Sequence, residues 1–118
     1  GLFVITGCYH RAGALDPASR TFIRTVEDIG RHNCLDRLAG WALRSGQDTA
    51  GLILFVSCRT TASLVQKAVN AGFRMIVTRA APTTAGLAVA ESANMTLVGF
   101  TRPERFTVFL DQANRVRP

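Results

Sequence analysis

The sequence is almost without lysine. Lys67 stands alone beside thirteen arginines, and the basic side chains outnumber Asp and Glu by 14 to 8. Histidine is scarce (His10 and His32), as are tryptophan and tyrosine, with one of each. Two histidines are too few for a broad claim about acid–base chemistry. Trp41, Tyr9 and seven Phe show no basic–aromatic interleaving of the kind that binds nucleic acid strands, so nucleic acid is not an expected partner. Cys8, Cys34 and Cys58 are odd in number and widely spaced, with no CxxC. They form no disulfide framework, which fits a reducing compartment, the cytoplasm. Each is expected to pack as a small buried residue. No apolar run approaches the roughly 18 residues of a membrane span, and no signal peptide is visible. The chain opens at Gly1 on an apolar run without an initiator Met, which suggests a fragment or a processed product.

What is present is enough apolar material for one core. Hydrophobic residues make up 47% of 118 positions, a length that suits a single domain over 1–118. The net charge of +6 is carried by Arg. Arg binds paired oxygens bidentately, so the balance favours anionic partners. A GC-rich genome would also replace Lys by Arg, but it would not decide where the arginines fall.

Hydrophobic periodicity sets the element order. Strands are expected at Leu2–Thr6, Arg20–Val26, Gly51–Val56, Arg74–Thr78 and Met95–Phe100, with a short last one at Arg105–Leu110. Gly7–Ser19 reads as loop, with Asp16-Pro17 as a turn signal. Helices are expected at His32–Arg44, closed by Ser45-Gly46; at Thr61–Gly72; and at Thr83–Asn94, with Asn94 as a left-handed cap. The tail from Asp111 is expected to fray. The order ββαβαβαβ implies a mixed, mostly parallel sheet of about five strands, covered on both faces.

In open α/β sheets, ligands bind beyond the carboxyl ends of the strands. The segments there are "TGCYH", "EDIGRHN", "SCRTT", "RAAPTT" and "TRPER". Two of them start helices rich in Ser and Thr, and helix starts favour anions. Arg31, Arg59, Arg102 and Arg105 add fixed charge. Hydroxyls of Ser57, Thr60, Thr61, Thr83 and Thr84 suit a phosphate or ribose, although each also serves as an ordinary cap. In "EDIGRHN", Gly30 allows a sharp turn and Asn33 or His32 can cap the helix. Glu27 and Asp28 can fix Arg31 or face a ligand; a salt-bridge network tying the hairpin to the helix is the alternative. Cys8, His10 and His32 lack the element spacing of a zinc site, so no metal is expected.

The strand-end segments together resemble the FdhD family, the accessory sulfurtransferases of formate dehydrogenase. The family's TGG-x-H appears as Thr6-Gly7-Cys8-Tyr9-His10, and its EDVGRHNA-x-DK as Glu27 to Arg37. Its SGR and VQKA elements appear as Ser57-Cys58-Arg59 and Val65-Gln66-Lys67-Ala68. SAPTS and LTLVGF-x-R appear as Ala80 to Thr84 and Met95 to Arg102. The match runs along about the whole chain.

The resemblance implies a three-layer α/β/α sandwich similar to that of cytidine deaminases, without their zinc motif. It also implies a homodimeric, cytoplasmic sulfur carrier. Such a carrier takes sulfur from a cysteine desulfurase and delivers it to a molybdenum or tungsten cofactor bearing guanine dinucleotides, before that cofactor enters formate dehydrogenase. GDP would mimic the cofactor's end. Cofactor-binding positions carried over are Gly7, His10, Asp28, Gly30, Arg31, His32, Asn33, Ser57, Arg59, Pro82, Thr83 and the run Phe100, Thr101, Arg102, Pro103, Glu104, Arg105. The family's sulfur-carrying CxxC lies upstream of TGG-x-H, so no catalytic residue is expected in this chain. Ser63 stands where the family has an acidic residue. The expectation is the cofactor-binding part of a longer protein, or a degenerate homologue, with little or no sulfur transfer of its own. A zinc-free nucleotide- or nucleic-acid-binding module on the same fold is the alternative.

Overall fold

The computed structural model describes residues 10–102, 105–113 and 115–116, and of Arg31, Phe100, Thr101, Arg102 and Arg105 the backbone alone. The expected strand at Leu2–Thr6 lies outside the described residues. The segment after it, expected as a loop, instead forms β1 (His10–Asp16), which pairs antiparallel with β2 (Thr21–Asp28). Ala12, Gly13 and Ala14 carry little strand propensity. The position decides: β1 lies between β2 and β3 (Ile53–Val56), hydrogen-bonded to both, and small side chains fit beneath packed helices. The Asp16-Pro17 signal marks the hairpin turn. Asp16 Oδ1 accepts from Ala18 N–H at 3.0 Å, and Arg20 takes a φ of 59°.

Helix α1 (Arg31–Ser45) follows β2 and ends at Gly46, whose φ of 70° lets Gln47 N–H reach back to Ala42 O. A short 3-10 turn (Thr49–Gly51) leads into β3. Then come α2 (Ala62–Asn70), β4 (Met75–Thr78), α3 (Thr84–Ser92), β5 (Thr96–Arg102) and β6 (Arg105–Leu110). Asn94, with φ 55°, is the left-handed residue after α3.

The sheet has six strands in the order β2-β1-β3-β4-β5-β6, one more than the approximate count from sequence. The parallel pairings β3–β4 and β4–β5 are central, and antiparallel pairings flank them. Strands β2, β3, β4 and β5 point the same way, and each crossover steps in the same direction across the sheet. Right-handed crossovers that never reverse deposit their helices on one face. Accordingly α1 packs on α2, and α2 on α3. Among the described residues this α/β sandwich has one helical layer, and the second covering layer expected from sequence is not among them.

The core fills the space between that layer and the sheet. Leu35 and Leu38 of α1, Leu64, Val65 and Ala68 of α2, and Ala90 of α3 meet Ala12, Ala14, Leu54, Val56, Ile76 and Leu97. Each fully buried Leu or Ile here contributes on the order of 1.5–3 kcal/mol. On the opposite face Gly13 stands between Thr25 and Phe55, and Phe22 is 50% exposed. No helix among the described residues is long and apolar enough to cross a membrane.

Candidate functional site

The topology brings the ends of β2, β3, β4 and β5 to one edge, together with the start of β1. His10 is the ladder partner of Asp28. Ser57 Oγ accepts from Arg11 N–H at 2.9 Å, and Arg11 O accepts from Ser57 N–H at 3.0 Å, so the end of β3 is stitched to the start of β1. Arg79 N–H donates to Val56 O at 3.3 Å, and Thr60 bridges Pro82 in parallel. The starts of α1, α2 and α3 rise from this edge.

"EDIGRHN" is organised around Asp28. Its Oδ1 accepts from Gly30 N–H at 3.2 Å and from Asn33 Nδ2 at 3.5 Å, and its Oδ2 lies 3.7 Å from Arg37 Nη1. The Gly30 amide, then the Asn33 bond, hold the Asp28 carboxyl below the ordinary carboxylate range against the opposing effect of desolvation. Gly30 is the N-cap of α1, and no side chain caps that helix. The expected capping by Asn33 or His32 is therefore corrected: the Asp28 carboxylate occupies the turn, and Asn33 is spent on it. Arg37 Nη1 also donates to Glu27 O at 2.8 Å, while Glu27 pairs with Arg11 at 3.2 Å. This part of the cluster does tie the hairpin to the helix.

His32 and Ser63 connect two helix starts, with His32 Nε2 at 3.4 Å from Ser63 Oγ. Thr61 and Thr83 act as caps: Thr61 Oγ1 accepts from Leu64 N–H at 3.4 Å, and Thr83 Oγ1 from Gly86 N–H at 2.9 Å. Thr60 is fully buried between these caps, and its hydroxyl has no partner among the described residues. Cys34 and Cys58 are both buried beneath the edge. Cys34 donates to His10 O at 3.1 Å, and burial, followed by the Asp28 charge, pushes its thiol up to about 11. Such a thiol stays protonated and is a poor nucleophile. Among the described residues no group of three or more His, Cys, Asp or Glu is gathered for a metal.

Of the residues singled out from sequence, His10, Asp28, Gly30 and Asn33 form one connected cluster, and His32 reaches to Ser63 instead. Ser57, Arg59, Pro82 and Thr83 lie at the neighbouring strand ends and helix starts, with Arg59 exposed. The backbone of Phe100, Thr101 and Arg102 completes β5 at the same edge, where Arg102 pairs with Arg105 of β6. The side chains of Arg31, Phe100, Thr101, Arg102 and Arg105 lie outside the described residues, as do Gly7, Pro103 and Glu104.

Sequence reasoning missed a second feature of this edge. On the face away from the helices, Arg11, Gly13, Phe22, Glu27, Phe55 and Arg79 line a trough of about 470 Å³. Had His10–Asp16 been recognised as a strand, alternation would have put Arg11 and Gly13 on one face.

Comparison with known proteins identifies the family and supports the fold. The family model of FdhD/NarQ matches residues 1–117. A sulfur carrier protein FdhD of Nocardia farcinica is 44% identical over 117 residues, covering 98% of this chain and 41% of that protein. Another, of Thermoplasma acidophilum, is 39% identical over 108 residues, covering 92% and 38%. A crystal structure described as a formate dehydrogenase accessory protein, from Desulfotalea psychrophila, superimposes with a TM-score of 0.86 at 30% identity, over 98% of this chain and 49% of the other. The chain thus spans less than half the length of these relatives. With the family model matched over residues 1–117, the chain belongs to the FdhD/NarQ family.

Proposed function

We propose that this chain is the nucleotide-holding part of a sulfur carrier serving formate dehydrogenase. Its cargo is a molybdenum or tungsten cofactor with guanine dinucleotide ends. The observation that carries the proposal is the convergence of four strand ends and three helix starts on one edge of a strongly basic chain. Free N–H groups at helix starts and Arg side chains are what a diphosphate needs. Relatives named as sulfur carriers support the same reading.

Within that function this chain binds and orients. Asp28, fixed as a carboxylate by Gly30 and Asn33, holds the turn that starts α1, and His32 is held against Ser63. Cys34 is buried and held protonated, which does not suit a sulfur carrier, and by the family resemblance the sulfur-carrying cysteines form a CxxC upstream of this chain. The donor is a cysteine desulfurase, the client is formate dehydrogenase, and the working unit is a homodimer in the cytoplasm.

Isothermal titration with GDP is the test, with random oligonucleotides as the control. GDP should bind and the oligonucleotides should not. Arg102→Ala, at the end of β5, should weaken GDP by about tenfold, the loss expected from one charge-assisted contact of roughly 1.4 kcal/mol. Equal binding of oligonucleotides would favour a general nucleic-acid module. Unchanged GDP affinity in Arg102→Ala would remove the end of β5 from the site.

A further inference from the structure

We propose that Ser63 is a positioning residue for His32, and that Ser63 and Thr61 form a reversible hydroxyl chain through which His32 takes up a proton when an anionic ligand arrives at the strand-end edge. This rests on the function proposed above and adds the coupling of binding to protonation.

The chain of groups runs from the start of α1 to the start of α2. His32 Nε2 lies 3.4 Å from Ser63 Oγ, and Ser63 Oγ lies 3.4 Å from Thr61 Oγ1. Thr61 is the N-cap of α2, and its Oγ1 accepts from Leu64 N–H. That leaves its own hydroxyl proton to give. With a neutral imidazole, Thr61 O–H donates to Ser63 Oγ and Ser63 O–H donates to Nε2. With an imidazolium, Nε2–H donates to Ser63 Oγ, and Ser63 O–H turns to Thr61 Oγ1, which has two lone pairs and accepts from both Ser63 and Leu64. Rotation of two hydroxyls exchanges one arrangement for the other, and no heavy atom has to leave its place. The contacts are long, as such bonds often are before a ligand draws them in.

One turn further along both helices Asp36 and Lys67 are paired at 3.0 Å, which fixes the spacing of α1 and α2 beside the ring. The charges on the packed elements are matched in pairs: Arg11 with Glu27, Arg37 with Asp28, and Lys67 with Asp36. His10, Arg59, Arg79 and the buried thiols of Cys34 and Cys58 are the other ionisable groups of these strand ends and helix starts among the described side chains. A ligand phosphate is then the new charge at this end, and a nearby anion favours the charged form of an imidazole. The proton comes from solvent. Binding is strongest at low pH, and the contribution of His32 is lost as pH rises through its raised value in the complex.

The test is titration of GDP at about pH 6.5, the ordinary imidazole value, in buffers of different ionisation enthalpy, which counts the protons taken up. A phosphate monoester itself titrates near about pH 6, so the readout is the difference between the wild type and each variant. His32→Gln should abolish the uptake due to the ring. Ser63→Ala should lower it and weaken GDP about fivefold, the loss of one hydrogen bond. Ser63→Thr keeps a hydroxyl and should restore both. Ser63→Asp puts a carboxylate at Nε2, so His32 is charged before GDP arrives and takes up no proton on binding. A merely structural Ser63 would leave the proton count unmoved. Ser63 is exposed, so its variants should fold, and thermal melting checks this. A proton count equal to the wild type's in His32→Gln, or in both Ser63→Ala and Ser63→Asp, overturns this inference and leaves the edge proposal standing. Absence of GDP binding by the wild-type chain overturns both.

Discussion

At Cys34 a single side chain shows how packing decides chemistry. The thiol is a core residue and a donor to His10 O, and burial raises it to about 11. Its folded value lies above its unfolded one, so the stability it confers is complete below about pH 8.5 and is lost as pH rises towards 11. Denaturant unfolding followed from pH 8 to 11 should therefore show a steeper alkaline loss in the wild type than in Cys34→Ala. Parallel slopes would mean that the thiol titrates normally. Thr60 is the opposite case, a buried hydroxyl with no partner among the described residues. Such a group costs about 1–3 kcal/mol, so Thr60→Val should leave the melting temperature unchanged or raise it, and a drop of several degrees would reveal an unseen partner. Neither environment is written locally in the sequence. The residue types of "EDIGRHN" did announce a special turn, because five polar groups between apolar elements exceed what a cap needs. Which partner each would choose was not legible, since Arg37 and Arg11 reach the cluster from a helix turn and a neighbouring strand.

Helix starts and close approaches decide the elements, and two glycines separate the cases. Gly86 sits in the first turn of α3, and a Cβ there would collide with Thr60 O, a backbone atom that cannot swing away. Gly86→Ala should cost more than about 2 kcal/mol despite the better helix propensity of Ala. Gly40 in α1 would meet only the flexible end of Arg44, at 3.1 Å, so Gly40→Ala should stabilise by up to about 1 kcal/mol. Chemical denaturation of both variants checks the contrast, and equal signs would refute the packing account. The caps differ as well: Thr83→Ala should cost about 1 kcal/mol, and Thr61→Ala less, because its bond is 3.4 Å against 2.9 Å. Periodicity found the three helices and β3, β4 and β5 within a few residues, since their apolar spacing is strong. It failed on β1, where Ala-Gly-Ala carries no pattern and only the flanking strands enforce extension.

Across the whole molecule, the described residues of the tail, Asp111, Arg115 and Val116 among them, are tied where the sequence suggested fraying. The Asp111 carboxylate accepts from Thr96 Oγ1 at 2.9 Å, Arg115 N–H at 2.7 Å and Val116 N–H at 2.9 Å. Burial alone would raise Asp111, but these bonds outweigh it and hold the carboxyl below its ordinary range. The stability it gives is present above about pH 4 and is lost as pH falls through the depressed folded value. The wild type should be more stable than Asp111→Asn while the carboxylate is charged, and the gap should close as acid protonates it; a constant gap would contradict the clamp. The α/β class was legible because alternating elements leave few topologies. The single helical layer was not, because it depends on strand order rather than on any segment. That order has a consequence for the growing chain. After the β1–β2 hairpin, β3 adds beside β1, and then β4, β5 and β6 each add beside the strand made just before. The sheet extends from one side, and no later strand has to be inserted between two earlier ones. Chain entropy is then surrendered in small instalments, through short loops, and the fold can assemble in the direction of synthesis, each new strand finding its template already waiting.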